Sequence, residues 1–152
     1  MLVEREFICL DQEYNNKYEV IKELSKLASD CGKVSSAKDY ERSVLQREAE
    51  FTTAIGCLIA MPHGQSEEVK EPFIIFSRAK EDFKWGDLDV QMVLMIGMPK
   101  QDYPDKHIEI LSNIAGSLTD EDVRSALLTS NSEKEIYDIL HFIENQKLGH
   151  HC

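Results

Sequence analysis

The longest apolar run of the chain, from Met92 to Met98, constrains the fold more than any other feature. It is far shorter than the roughly 20 residues that a helix needs to cross a bilayer. Together with its flanking residues it has the pattern of a strand over about 89–98. The apolar segments 56–61 and 73–79 predict two more strands, and a looser alternation over residues 2–10 predicts another. Because buried strands need cover on both faces, the remaining segments are expected to supply helices.

The segments that precede the central strands have helical periodicity. Apolar residues, with Tyr18 as the first of them, recur at helical spacing over residues 17–31, and Gly32 is a stop signal. Ser36 is a candidate N-cap for a second helix that continues to about Glu48.

Helices are also predicted after the strands. They span about 105–118, 120–128 and 132–143. Thr119 and either Asn131 or Ser132 are candidate caps for the later two. Helices thus flank the strands, which predicts a single α/β domain over residues 1–152, a mixed sheet with helices on both faces. Residues from about 147 to 152 are expected to form a frayed tail.

The composition favours a folded protein of the cytoplasm. Hydrophobic residues make up 42% of the 152 residues, enough for a core without disulfides or a structural metal. The four cysteines are too widely spaced for a zinc site and fit a reducing compartment. Charges interrupt the N-terminus too early for a signal peptide. The net charge of −11 argues against nucleic acid and anionic membranes as partners.

One histidine is framed in an unusual way, in the stretch IGCLIAMPHG that ends at Gly64. Pro62 ends the apolar strand abruptly, because proline fixes its own φ and pushes the preceding residue to an extended conformation. Gly64 permits backbone conformations that other residues avoid. His63 is thereby presented in a loop at a sheet edge, and neutral imidazole is nucleophilic at cytoplasmic pH. A turn histidine without a chemical role is the alternative.

Three further side chains are candidates for the same site. His107 begins a predicted helix, where N–H donors and the helix dipole favour phosphate oxygens. Arg47 precedes the His63 segment, and arginine is well suited to hold phosphate. Thr53 could donate a hydroxyl. Each has an ordinary explanation as well: a solvated first-turn residue, a surface charge and a strand-edge threonine.

The run REAEFTTAIGCLIAMPHG, from Arg47 to Gly64, resembles the enzyme IIA domain of the fructose/mannitol class of bacterial phosphotransferase systems. In that family the segment reads approximately RE, a spacer, STGIG, two variable positions and an apolar-A-I-P-H-G run. The later segments agree as well, including MVLMIGM, HIEILSNIAGSLTD and SEKEIYDIL. The resemblance covers nearly the whole chain and implies a mixed five-stranded sheet flanked by helices.

The resemblance also implies roles for individual residues. His63 matches the phosphorylated histidine, His107 the second histidine that lies against it, and Arg47 the arginine that lines the site. Thr53 matches the motif threonine and is expected, with Gly64, to support the phosphoryl site.

The chain departs from the family pattern near the histidine. Ala54 stands where glycine is usual, and Cys57-Leu58 replaces a typical Asn-Gly. These changes affect the loop geometry and leave His63 itself intact. The REAEF segment is reminiscent of galactitol-type members, whereas His107 is closer to the fructose and mannitol branches, so the branch stays open.

By resemblance, the chain is expected to act as a phosphotransferase that relays a phosphoryl group. The phosphocarrier HPr would present a phosphohistidine to His63, and Nε2 of His63 would accept the group and pass it to an enzyme IIB domain for sugar uptake. A hydrogen bond on the other ring nitrogen would select the tautomer. No metal or organic cofactor is expected, and association with the membrane component IIC would be indirect. Met61 and Phe73 are candidates for the docking face, although Phe73 is better suited to the core.

Two other functions stay open at this point. The chain could be a regulatory protein of the related nitrogen branch, which binds partners according to its phosphorylation state. It could also be a metal-dependent hydrolase that uses His63 and His107 with Asp105 or Glu109, although no metal-ligand spacing supports this.

Overall fold

The computed structural model describes residues 3–100 and 105–145, except for the side chains of residue 65 and of residues 105–108. The predicted tail at 147–152 lies outside the described residues. The strands are β1 (Ile8–Gln12), β2 (Ala54–Gly56), β3 (Leu58–Ala60), β4 (His63–Ser66), β5 (Phe73–Trp85) and β6 (Leu88–Pro99). The helices are α1 (Lys17–Asp30), α2 (Ala37–Glu50), α3 (Asp105–Ser117), α4 (Glu121–Thr129) and α5 (Glu133–Glu144), and a 3-10 turn (Arg5–Phe7) precedes β1.

The sheet is mixed, and β5 and β6 form its antiparallel centre. The strand order is β1-β5-β6-β3-β2, and β4 also pairs with β6. β1 runs parallel to β5, while β3 and β4 run parallel to β6. Apolar side chains of α1 and α2 pack on one face, and those of α3, α4 and α5 pack on the other. The predicted α/β architecture with both faces covered is confirmed. Among the described residues, no helix is long and apolar enough to cross a membrane.

The strand that leads to His63 is interrupted. β3 pairs with residues 90–93 of β6, and β4 pairs with residues 96–99 along the same edge. Met61 and Pro62 lie between the two strands. His63 is therefore the first residue of a strand, and its predicted placement in a loop is wrong, because β6 continues far enough to pair with it. The sheet thus has six strands, which is close to the five that were expected.

β2 and β3 form a hairpin where the sequence predicted one strand. Cys57 and Leu58 at the turn have φ values of 55° and 66°. In this left-handed region the Cβ of an ordinary residue crowds the backbone, which is why Asn-Gly is preferred at such turns. Both turn positions of this chain are thus left-handed, although neither residue is well suited to that conformation.

Two of the three helix caps that the sequence predicted are confirmed. Ser36 and Ser132 each accept a hydrogen bond from the N–H of the third helical residue, at 3.2 Å. The prediction of Thr119 as a cap is wrong, because Asp120 accepts from the second and third N–H groups of α4 at 2.8 and 3.4 Å. Tyr18 is 60% exposed and not on the buried face of α1.

Candidate functional site

The imidazole of His63 is held by the backbone that precedes it. Its Nδ1 lies 2.8 Å from the carbonyl oxygen of Met61. A carbonyl oxygen only accepts hydrogen bonds, so this contact requires the proton on Nδ1 and places the lone pair on Nε2. Pro62 has no N–H to pair, and the interruption of the strand at this residue lets the ring fold back onto Met61.

The pKa of His63 lies below its ordinary value of 6.5. Burial is the largest cause, and the positive charge of Arg47 acts in the same direction. The hydrogen bond to Met61 and the negative charge of Glu48 oppose the shift. The lowered pKa keeps the imidazole neutral at pH 7, the state in which it is a nucleophile.

Gly64 is required by packing and not by an unusual φ. Its φ lies outside the left-handed region, contrary to the reason that the sequence suggested. A Cβ at this position would overlap Ser43 Oγ, and it would lie 2.9 Å from Val44 N and 3.0 Å from Ser43 C. Glycine therefore allows β4 to lie directly against α2, which determines where the neighbouring His63 is held.

Arg47 lies in the last turn of α2 and is partly buried. Its Nη1 donates to the carbonyl oxygen of Phe51 at 2.6 Å. Helix C-termini carry partial negative charge, so a cation is favourable here. The guanidinium offers several N–H donors, and its charge reaches His63, since it lowers the pKa of that ring.

Thr53 is buried, and its hydroxyl is bound to Glu48. Thr53 Oγ1 donates to Glu48 Oε2 at 2.6 Å, and Thr53 N–H donates to the same oxygen at 3.0 Å. The carbonyl oxygen of Thr53 accepts from the N–H of Met61 at 3.0 Å. Thr53 therefore contacts the segment that holds His63, and any support it gives to a phosphoryl group would be indirect.

Sequence reasoning assigned no role to Glu48. A signal was available, because Tyr40, Val44 and Glu48 follow one another at four-residue intervals and share one face of α2. Tyr40 and Val44 are fully buried, and Glu48 is only 5% exposed. A carboxylate on the buried stripe of a helix needs compensating donors, which marks it as a candidate for a specific role.

His107 lies in the first turn of α3, but its side chain is outside the described residues. Its approach to His63 therefore stays a prediction, and so does any role of Asp105. Among the side chains that the structure describes, no group of three His, Cys, Asp or Glu residues is arranged to hold a metal ion.

The EIIA 2 family of the phosphoenolpyruvate-dependent sugar phosphotransferase system has a model that matches residues 1–142. The fructose-specific EIIA component of Haloferax volcanii is 33% identical over 138 residues, which cover 89% of this chain and 89% of that protein. Several other curated relatives are much longer, and the chain spans only 17% to 22% of their length.

Solved structures share the fold. The nitrogen regulatory protein IIA-Ntr of Neisseria meningitidis has a TM-score of 0.84 and 26% identity, with 91% of this chain and 96% of that one covered. Enzyme IIAMTL of Escherichia coli, in its complex with phosphorylated enzyme IIBMTL, has a TM-score of 0.80 and 23% identity, with 93% and 99% covered. Since the family match spans most of the chain, the protein belongs to the EIIA 2 family of phosphoenolpyruvate-dependent sugar phosphotransferase systems.

Proposed function

We propose that this chain is a phosphoryl carrier of a sugar phosphotransferase system, with Nε2 of His63 as the acceptor atom. The hydrogen bond from Nδ1 to the carbonyl oxygen of Met61 carries the proposal, because it leaves the lone pair on Nε2. Family membership supports the class of reaction. The donor would be phosphorylated HPr, and the acceptor would be an enzyme IIB domain of the kind found in the Escherichia coli complex.

The transfer step balances without a net movement of protons. The Nε2 lone pair attacks phosphorus in line, an Nε2–P bond forms, and the N–P bond of the donor phosphohistidine breaks. The electron pair of the broken bond stays on the donor ring, which leaves as neutral imidazole if its other nitrogen carries a proton. The His63 ring keeps its Nδ1 proton and becomes a phosphoimidazolium, whose positive charge the Met61 carbonyl stabilises. This ring is again a good leaving group for the next transfer.

The transferred group needs positive charge or N–H donors around its oxygens. The charge of Arg47, at the end of α2, lowers the pKa of His63, and we assign Arg47 to bind the phosphoryl oxygens. His107 at the start of α3 and the backbone N–H groups near Gly64 are proposed to complete the site, with Thr53 acting through Met61. Donor and acceptor are both protein side chains, so the proposed reaction uses no metal or organic cofactor.

The docking face is assigned to exposed apolar side chains that follow Arg47. Met61 is only 5% exposed, so its assignment to a docking face is wrong, whereas Phe73 is 0% exposed and lies in the core, as preferred for it. Phe51 and Ile55, on the segment from α2 into β2, are 74% and 51% exposed. HPr and the IIB domain would contact these side chains in turn in the cytoplasm, and the IIB domain would link the chain to the membrane component IIC.

A regulatory role is the second candidate, favoured by the similarity to the nitrogen regulatory protein of Neisseria meningitidis. In that role His63 would be phosphorylated in the same way, and the result would be a change in partner binding.

Transfer of labelled phosphate from phosphoenolpyruvate through enzyme I and HPr tests the proposal on wild type and His63→Ala. We expect wild type to take an acid-labile, base-stable label and His63→Ala to take none. An unlabelled wild type with competent HPr, or full labelling of His63→Ala, would refute it. A chase with an IIB domain separates the two roles, because only the relay passes its label on.

A further inference from the structure

Glu48 lies buried at the end of α2 in an environment made of hydrogen-bond donors. Its Oε2 accepts from Thr53 N–H at 3.0 Å and from Thr53 Oγ1 at 2.6 Å. Its Oε1 accepts from Trp85 Nε1 at 2.6 Å and from Thr52 Oγ1 at 3.1 Å, and Lys17 Nζ lies 3.6 Å away. Each of these contacts matches an ionised carboxylate, which only accepts hydrogen bonds.

The ionised form of Glu48 is favoured despite its burial. Burial by itself raises the pKa of a carboxyl group, but the hydrogen bonds from Thr53, Trp85 and Thr52 outweigh it and hold the pKa of Glu48 below its ordinary value. The negative charge is therefore present throughout the pH range in which the protein would carry a phosphoryl group.

A short series of hydrogen bonds connects this carboxylate to His63. Glu48 holds both the N–H and the hydroxyl of Thr53. The carbonyl oxygen of Thr53 accepts from Met61 N–H at 3.0 Å, and the carbonyl oxygen of Met61 accepts from Nδ1 of His63 at 2.8 Å. Glu48 thus fixes the backbone of Thr53, and Thr53 holds the N–H of Met61, the residue whose carbonyl oxygen binds His63.

From these contacts we infer that Glu48 is a positioning residue for phosphoryl transfer: it orients the Met61 carbonyl that holds His63 Nδ1, and its charge offsets that of Arg47. The inference rests on the proposed function of His63. Glu48 does not touch the reacting atoms and acts through Thr53 and Met61.

The two neighbouring charges on α2 have opposite effects on the imidazole. Arg47 lowers the pKa of His63, and Glu48 raises it. Arg47 is suited to bind the incoming phosphoryl oxygens, but its charge also disfavours the cationic ring that the transfer produces. Glu48 opposes that effect from the buried side, where screening by salt is weak.

Glu48→Gln tests the inference, because the amide keeps the size of the side chain but removes its charge. The NH₂ group of the amide would also face the donors of Thr53 or Trp85, with which it cannot form hydrogen bonds. The ring of His63 is followed by ¹⁵N NMR for its tautomer and its pKa, and single-turnover labelling by phosphorylated HPr measures the rate. We expect a mixed tautomer, a lower pKa of His63 and a rate that falls roughly 10- to 100-fold.

Tyr14→Phe is a control that removes a buried hydrogen bond from the same hydrophobic cluster as Trp85, and so lowers stability without a change in the contacts of Glu48. The Tyr14 hydroxyl is hydrogen-bonded to Ser77 Oγ at 2.7 Å, and neither residue belongs to the series that reaches His63. This variant is expected to lose stability with the tautomer and pKa of His63 unchanged. Glu48→Asp keeps the charge but cannot reach both Thr53 and Trp85, so we expect a pKa of His63 close to that of wild type with a slowed rate.

A wild-type tautomer, pKa and rate in folded Glu48→Gln would overturn the inference. If that variant does not fold, Glu48→Asp carries the test, and a wild-type rate with a single Nδ1–H tautomer would overturn it. Failure of the proposed function looks different: wild type itself would take no label from HPr. The NMR comparison would still report whether Glu48 orients the ring.

Discussion

Replacement of Gly64 with alanine is expected to destabilise the protein and to slow the phosphorylation of His63. The added Cβ would overlap Ser43 Oγ and would lie 2.9 Å from Val44 N and 3.0 Å from Ser43 C. A side chain can rotate away, but these backbone atoms belong to α2 and cannot. The strand β4 must therefore separate from the helix, and such overpacking costs about 1–3 kcal/mol.

Urea unfolding monitored by circular dichroism measures this loss. In a thermal unfolding experiment on a domain of this size, a decrease of about 2 kcal/mol in the free energy of unfolding corresponds to a Tm lower by roughly 4–8 °C. Gly116→Ala in α3 is a matched control, because a Cβ there would meet no atom within 4 Å among the described residues, apart from its own helix backbone. Gly116 is the next-to-last residue of α3, so this control is expected to change stability by less than about 0.5 kcal/mol.

The double variant Ser43→Ala/Gly64→Ala separates the two kinds of contact. It removes the overlap with Ser43 Oγ but leaves the contacts with the backbone of residues 43 and 44. We therefore expect only partial recovery of stability and of the labelling rate. Full stability of Gly64→Ala, or full recovery in the double variant, would show that the backbone of α2 does not require glycine at this position.

Three further predictions concern a strained turn residue, a buried hydrogen bond and the pKa of His63. Cys57→Asn should raise the unfolding free energy by roughly 0.5–1 kcal/mol, because asparagine tolerates the left-handed φ of 55°; urea unfolding that shows a loss would contradict this. Trp85→Phe removes the 2.6 Å hydrogen bond to Glu48 and should cost about 1.5–3 kcal/mol, as for other bonds to charged groups, whereas unchanged stability would mean that the carboxylate finds another donor. Because the pKa of His63 is lowered on folding, the unfolded chain binds the proton more tightly, so stability should fall as the pH drops below 6.5. His63→Asn should remove that part of the slope in a pH series of unfolding curves, and an unchanged slope would assign it to another group.

The sequence predicted the helices well because their signals are local. The spacing of apolar residues in 17–31 and the caps Ser36 and Ser132 act within a few residues of themselves, and the structure has the corresponding helices. The wrong cap at Thr119 is a local failure, whereas the missed strand β4 depends on contacts between distant segments. β4 exists because β6 extends beyond the pairing with β3, and no local pattern in the stretch after Pro62 indicates that partner.

The order of residues around Pro62 and His63 determined by itself that a strand would break next to a histidine, and the spacing of the surrounding motif determined the family. The tertiary structure decided the tautomer and the pKa of that histidine. The close approach of α2 that only Gly64 permits and the bond from Trp85 to Glu48 join segments far apart in the chain. The bond from Nδ1 to Met61 spans only two residues, but it forms where the pairing along β6 is interrupted between β3 and β4. Hydrogen bonds and burial of this kind depend on distances in space, so only the folded chain determines the tautomer and the pKa of His63.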